Sequence, residues 1–173
     1  MKVFQLCILA VLVLCISCTS LVPVENRFTL RHSLGDRFVK KGIVEITSER
    51  KVYSTPPKME SLSLISDGRL HITGNSAAIF SLWSEGGQVQ LELVQGEIKI
   101  LQIPRDAELF IRVIYLDRTI IPRGRTLFNV DTSGVLVAYG TTTIDLGEVK
   151  VVLRDHEELT FATGTIKKVM FSH

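Results

Sequence analysis

The chain has 173 residues and a formal net charge of +2, from 20 Lys and Arg against 18 Asp and Glu. A balance this weak excludes a strong sequence-independent attraction to nucleic acid, so we expect no nucleic-acid partner. The length indicates one domain. Val, Ile and Thr are abundant and Ala is scarce, which favours sheets over helices.

The N-terminus has the pattern of a secretory signal peptide. A short charged start, Met1-Lys2, precedes an apolar run from Val3 to Ile16, and the chain is polar again at Ser17. A helix that spans a membrane needs about 20 apolar residues, so a spanning anchor is the less favoured alternative. We therefore predict a signal peptide over residues 1–17 and export of the rest.

The cysteines indicate how the exported chain is anchored. They lie at positions 7, 15 and 18, and none follows, so the folded domain can form neither a disulfide nor a thiolate metal site. The Ser17-Cys18 pair resembles a bacterial lipobox, although Cys15 stands where that pattern commonly has Leu. We predict acylation of Cys18, which attaches the chain to a membrane by several alkyl chains. The alternative is ordinary cleavage after Thr19, which would discard Cys18.

The predicted organisation of the remaining chain is a lipidated N-terminus and tether over residues 18–38, followed by one domain over residues 39–173. From Lys40 onward, short alternating runs are separated by turn signals. The clearest example is Ser61–Leu64 and Leu70–Thr73 on either side of Asp67-Gly68, a hairpin dipeptide.

This pattern predicts an all-β domain, built as a sandwich, a roll or a short β-solenoid-like stack. Alternation indicates one buried and one wet face for most strands. The predicted core residues are Leu64, Ile72, Leu91, Leu93, Ile98, Ile100, Ile111, Val113, Phe128, Val130, Val137, Val149 and Val151.

The stretch from Asp67 to Gly164 resembles the FecR domain family. The residues that carry the resemblance are Asp67–Leu70, Gly96–Ile100, Gly124–Val130, Val135–Gly140, Gly147–Val151 and Leu159–Gly164. Two departures are Arg125, which separates Gly124 from Thr126, and Tyr139, which stands where the family often has Glu. An unrelated all-β envelope domain is the alternative.

The resemblance implies an all-β module on the outer side of the inner membrane. The regulator that names the family relays a signal from an outer-membrane iron transporter to a cytoplasmic sigma factor. That relay needs a cytoplasmic segment, and only Met1-Lys2 precedes the apolar run. We therefore expect that sigma regulation does not carry over.

Candidate site residues are few, and none forms a catalytic motif. Arg123 and Arg125 could hold a carboxylate or phosphate, or they are solvated strand ends. Trp83 could line a ligand groove, or it lies at the core margin. Asp155 to Glu158 indicates a charged turn rather than a cation site. The four histidines are far apart in sequence, so we predict no metal site and no cofactor.

The sequence thus predicts a non-enzymatic, lipid-anchored binding module at the bacterial cell envelope, on its periplasmic or outer face. Its expected partners are the membrane, through the lipid, and another envelope protein or a glycan. The alternatives are a structural or assembly component of an envelope complex and a glycan-acting enzyme, which would need two carboxylates across a groove.

Overall fold

The computed structural model describes residues 27–35, 37–66, 68–104 and 111–170, with only the backbone of Lys40 and Lys41. These residues form strands and turns, and they include no helix that could span a membrane. The predicted signal peptide, Cys18 and the first part of the tether, to residue 26, lie outside the described residues. The strands are β1 (Arg27–Leu34), β2 (Arg37–Glu45), β3 (Lys51–Ser54), β4 (Ser61–Ser66), β5 (Leu70–Asn75), β6 (Ile79–Glu85), β7 (Gln88–Gln95), β8 (Ile98–Gln102), β9 (Ile111–Tyr115), β10 (Arg118–Val130), β11 (Gly134–Asp145), β12 (Lys150–Leu153), β13 (Glu157–Thr160) and β14 (Thr165–Lys168).

All strands belong to one sheet that curls into two layers, because β10 and β11 pair with different neighbours at their two ends. Thr126–Val130 of β10 pairs with β8, whereas Arg118–Ile120 pairs with β9. Likewise, one end of β11 pairs with β13 and the other end with β12. The first layer runs β2-β1-β4-β5-β8-β10-β11-β13-β14, and the second runs β3-β6-β7-β9-β10-β11-β12.

The all-β prediction is confirmed, and the architecture is the roll rather than the solenoid. Every strand pair among the described residues is antiparallel except β7 with β9. A β-solenoid instead stacks parallel coils. The two layers pack closely where β5 meets β6, since a Cβ added at Gly74 would lie 3.1 Å from Cε1 of Phe80.

The core lies between the two layers and consists of the inward-facing residues of alternating strands. Every predicted core residue is buried except two. Val151 is half-buried and packs against the core. Val149 was wrongly predicted as core, because it is 59% exposed. It lies in the turn before β12, where its carbonyl oxygen accepts a hydrogen bond from the Leu146 amide at 2.9 Å.

The predicted boundary between the tether and the domain was also wrong. The first described strand begins at Arg27, which lies inside the predicted tether, residues 18–38. Strand β1 pairs with both β2 and β4, and Phe28 is 1% exposed in the core. Phe28, Leu30 and His32 alternate with outward-facing residues. The period-2 pattern is hard to recognise in the sequence because a polar residue, His32, takes an inward position after Phe28 and Leu30.

Candidate functional site

The first candidate feature is a bend shared by β10 and β11 where they pass from one layer to the other. The pairing register is interrupted between Arg123 and Leu127. Gly124 and Gly140 adopt φ values of 60° and 93° on the two strands, a region that favours glycine. Such bulges bend a strand and redirect the side chains beside them. We call the segment from Arg123 to Thr126, with Tyr139 and Gly140 opposite, the corner.

Two buried polar side chains fix the inner side of the corner. The Thr126 hydroxyl donates to the Arg123 carbonyl oxygen at 2.7 Å and lies 3.2 Å from the Thr141 carbonyl oxygen. The Gln102 amide donates from Nε2 to the Gly124 carbonyl oxygen at 3.1 Å, and its Oε1 accepts from the Ile111 amide at 3.3 Å. Because the buried backbone groups at the bulge have hydrogen-bond partners, the bend is a stable part of the fold rather than a local defect.

The outer side of the corner presents two guanidinium groups. Arg123 and Arg125 are both exposed, and the guanidinium carbon of Arg125 lies 5.7 Å from the centre of the Tyr139 ring. The Asp155 carboxylate accepts a hydrogen bond from the Gly140 amide at 2.5 Å and forms no ion pair with either arginine within the described part of the chain. Both arginines are therefore available to a carboxylate, sulfate or phosphate group.

An apolar row crosses the outer surface of the first layer and ends at this corner. Its members are cross-strand partners of one another, so they lie side by side on neighbouring strands. Ile43 at one end is 79% exposed and Tyr139 at the other end is 51% exposed, while the members between them are half-buried. This outer row consists of Ile43, Thr29, Ile65, His71, Leu101, Leu127 and Tyr139.

His71 supplies the imidazole of the outer row. Its register partners are Ile65 and Leu101, and its Nε2 atom is buried without a hydrogen-bond partner among the described residues. His71 lies on the outward phase of β5, between the buried Leu70 and Ile72. The sequence pattern did not reveal that apolar neighbours on other strands enclose the imidazole.

A polar row runs beside the outer row and is largely satisfied within itself. The hydroxyls of Ser63 and Thr73 lie 3.2 Å apart. The Glu158 carboxylate lies 3.2 Å from the Lys167 ammonium group. These polar groups already have partners within the chain. The outer row and the corner are therefore the part of this surface that is better suited to contact another molecule.

The fold does not place Trp83 near Arg123 and Arg125. It lies on β6 in the second layer, where β7 and β9 separate it from β10. The Arg50 guanidinium carbon lies 5.0 Å from the Trp83 ring centre, and Arg50 also forms an ion pair with Glu92. The indole is therefore half-buried beneath a cation and does not line the same surface as the corner.

Side chains suited to metal binding are dispersed in the described part of the chain, where no three His, Cys, Asp or Glu residues cluster. The predicted charged turn is present at Asp155 and His156, and β13 begins at Glu157. Cys18 lies outside the described residues.

Comparison with known proteins gives a match in structure and none in sequence. No protein-family model matches the chain, and no curated protein matches it significantly. A crystal structure from Parabacteroides distasonis, named a "putative anti-sigma factor", has a TM-score of 0.56 and 19% identity over 70% of this chain and 60% of that chain. The likeness is one of fold. A second structure of the same name and organism has a TM-score of 0.49 and 18% identity over 73% of this chain and 58% of that one.

This chain spans about 60% of the length of the first of these neighbours. The fold that the chain shares with this first neighbour supports the all-β architecture, and the FecR resemblance stays a prediction.

Proposed function

We propose that this chain is a non-catalytic binding module, exported and held at a membrane by acyl chains on Cys18. In this proposal the corner and the outer row dock another envelope protein. The observation that carries the docking proposal is the end of the outer row, where Arg125 lies over Tyr139 and Arg123 is exposed two residues earlier on β10. Arginine and tyrosine are enriched among residues that dominate binding energy at interfaces.

The chemistry of this surface defines the partner. The half-buried members of the outer row supply apolar contact, and the two guanidinium groups supply bidentate donors at one end. A matching protein surface presents a carboxylate beside an apolar strip. A glycan with an acidic group is the second type of partner that the corner suits, but the length of the apolar row favours a protein.

The corner can be tested by reversing its charge. In intact cells that produce the Arg123→Glu/Arg125→Glu variant, crosslinking to the partner should fall about tenfold or more, because a lost charge-assisted contact costs at least 1.4 kcal/mol. Arg112→Glu is the matched control, since Arg112 is exposed on the second layer and its reversal should leave crosslinking unchanged. Equal crosslinking by the wild type and the corner variant would contradict the docking proposal.

Cys18 acylation gives an independent prediction. The wild-type chain should incorporate a palmitate analogue and partition into detergent, and Cys18→Ser should lose the label. Cys7→Ser is the control, because it removes a thiol but leaves Cys18 and the lipobox-like residues before it unchanged. An unlabelled wild-type chain, or a mature N-terminus beyond residue 18, would refute the lipid anchor but leave the binding surface open to test.

A second candidate function is a part in sigma-factor regulation. The observation that favours it is the fold likeness to the protein from Parabacteroides distasonis that is named a putative anti-sigma factor. The primary proposal places all direct partners on the far side of the membrane. The same crosslinking experiment separates the two, since recovery of a sigma factor would favour the second candidate.

A further inference from the structure

The longest free sheet edge in the described part of the chain belongs to β2. Strands β2 and β3 end the pairing path, and β12 and β14 end its branches. Strand β2 has nine residues, whereas β3, β12 and β14 have four each. Proteins usually keep exposed edges short or blocked, because their unpaired N–H and C=O groups can pair with another chain.

Strand β2 carries cationic residues and a register shift against β1, which are features that discourage pairing with a chain of like charge, but it is neither short nor interrupted by proline. Three of its apolar side chains are strongly exposed. Phe38 is 65%, Val39 56% and Ile43 79% exposed. An edge that is long and apolar is suited to strand addition, in which a partner's main chain continues the sheet.

The charge of β2 indicates which chain can be added. Its sequence contains Arg37, Lys40 and Lys41, and the only acidic residue is the last one, Glu45. On β1, the guanidinium carbon of Arg31 lies 5.1 Å from the Phe38 ring centre. A second copy of the chain would bring two cationic edges together, whereas an acidic segment would be attracted.

We propose that β2 accepts an extended segment of the partner protein as an additional strand, with apolar and acidic residues alternating on its outer face. Ile43 begins the outer row, and Lys41 is the register partner of Arg31 in the next row. Because side chains repeat every two residues along a strand, the added strand needs an apolar residue beside Ile43 and an acidic residue two positions away. This inference rests on the proposed binding function and defines its partner's chemistry.

Two synthetic peptides of equal length test the proposal on the full-length chain. The Val/Glu peptide repeats Val-Thr-Glu-Thr and the Val/Lys peptide repeats Val-Thr-Lys-Thr, so that Val alternates with Glu or with Lys on one face of the added strand. Fluorescence anisotropy should show that the Val/Glu peptide binds at least about tenfold more tightly. Its binding should protect the β2 amides from hydrogen exchange. Ile43→Glu should weaken binding about tenfold or more, because it adds like charge and removes the apolar contact. The matched control is Val52→Glu on β3, where Val52 is 69% exposed, and it should leave binding unchanged.

Equal binding of the two peptides, absence of binding, or binding without protection of β2 amides would each overturn the proposal. A concentration-dependent dimer that Ile43→Glu abolishes would also overturn it, because the occupant would then be a second copy. These failures are separable from failure of the proposed function. If the Arg123→Glu/Arg125→Glu variant still loses the cellular crosslink, the corner remains a docking site without strand addition at β2.

Discussion

Phe128→Ala should lower the free energy of unfolding by about 3–5 kcal/mol. The Phe128 side chain is fully buried, and its register partners on the two sides are Ile100 and Val137. Removing the ring therefore leaves a cavity between the two layers, against the centre of the first, because the surrounding strands can move in to fill it only partly. Equilibrium unfolding in urea measures this cost.

Val149→Ala is the informative control, because the sequence pattern predicted both positions as core. Val149 is 59% exposed in a turn, so its truncation should change stability by no more than about 0.5 kcal/mol. A cost below about 1 kcal/mol for Phe128→Ala would place that side chain at the surface and contradict the inward phase of β10.

The inner face of the sheet could be predicted because it depends on a local property, the alternation along each strand. For Leu64, Ile72 and Ile100, the alternation along each strand is enough to predict that the side chain points into the core. The exchange of β10 between the two layers could not be predicted in the same way. Its alternation resumes beyond the bend, and its change of partner from β9 to β8 is a non-local choice.

The candidate site was predictable only in part, for the same reason. Arg123 and Arg125 stand out in the sequence as two cations around a glycine, and both are exposed. The contact of Arg125 with Tyr139 depends on the β10–β11 register. The outer row takes one residue from each of seven strands, so no sequence window contains it.

Trp83 shows that a residue type does not indicate which surface the residue will join. A single tryptophan on an apolar strand suggested either a ligand groove or the core margin. In the fold, Arg50 from the segment before β3 lies over the indole, and two strands separate it from β10. Sequence distance gave no information about which layer each residue would join.

Gly140→Ala should destabilise the domain by about 3 kcal/mol or more. One part is the backbone, since a left-handed conformation costs a residue with a Cβ about 1–2 kcal/mol, and Gly140 has a φ of 93°. The other part is steric, because the new Cβ would collide with the Arg125 carbonyl oxygen and lie 2.9 Å from the Thr126 Cα. Overpacking of this kind typically costs a further 1–3 kcal/mol or so.

Gly124→Ala separates the two parts, because it changes the opposite strand of the same corner without a collision. Gly124 also has a positive φ, 60°, and nothing lies within 4 Å of the position that its Cβ would occupy. It should therefore cost only about 1–2 kcal/mol, the backbone part alone. Urea midpoints of the two variants, compared at an unchanged m value, give the difference directly. Equal costs would show that β10 and β11 do not approach closely at Gly140, and the Arg125–Tyr139 contact that depends on this approach would lose its structural support.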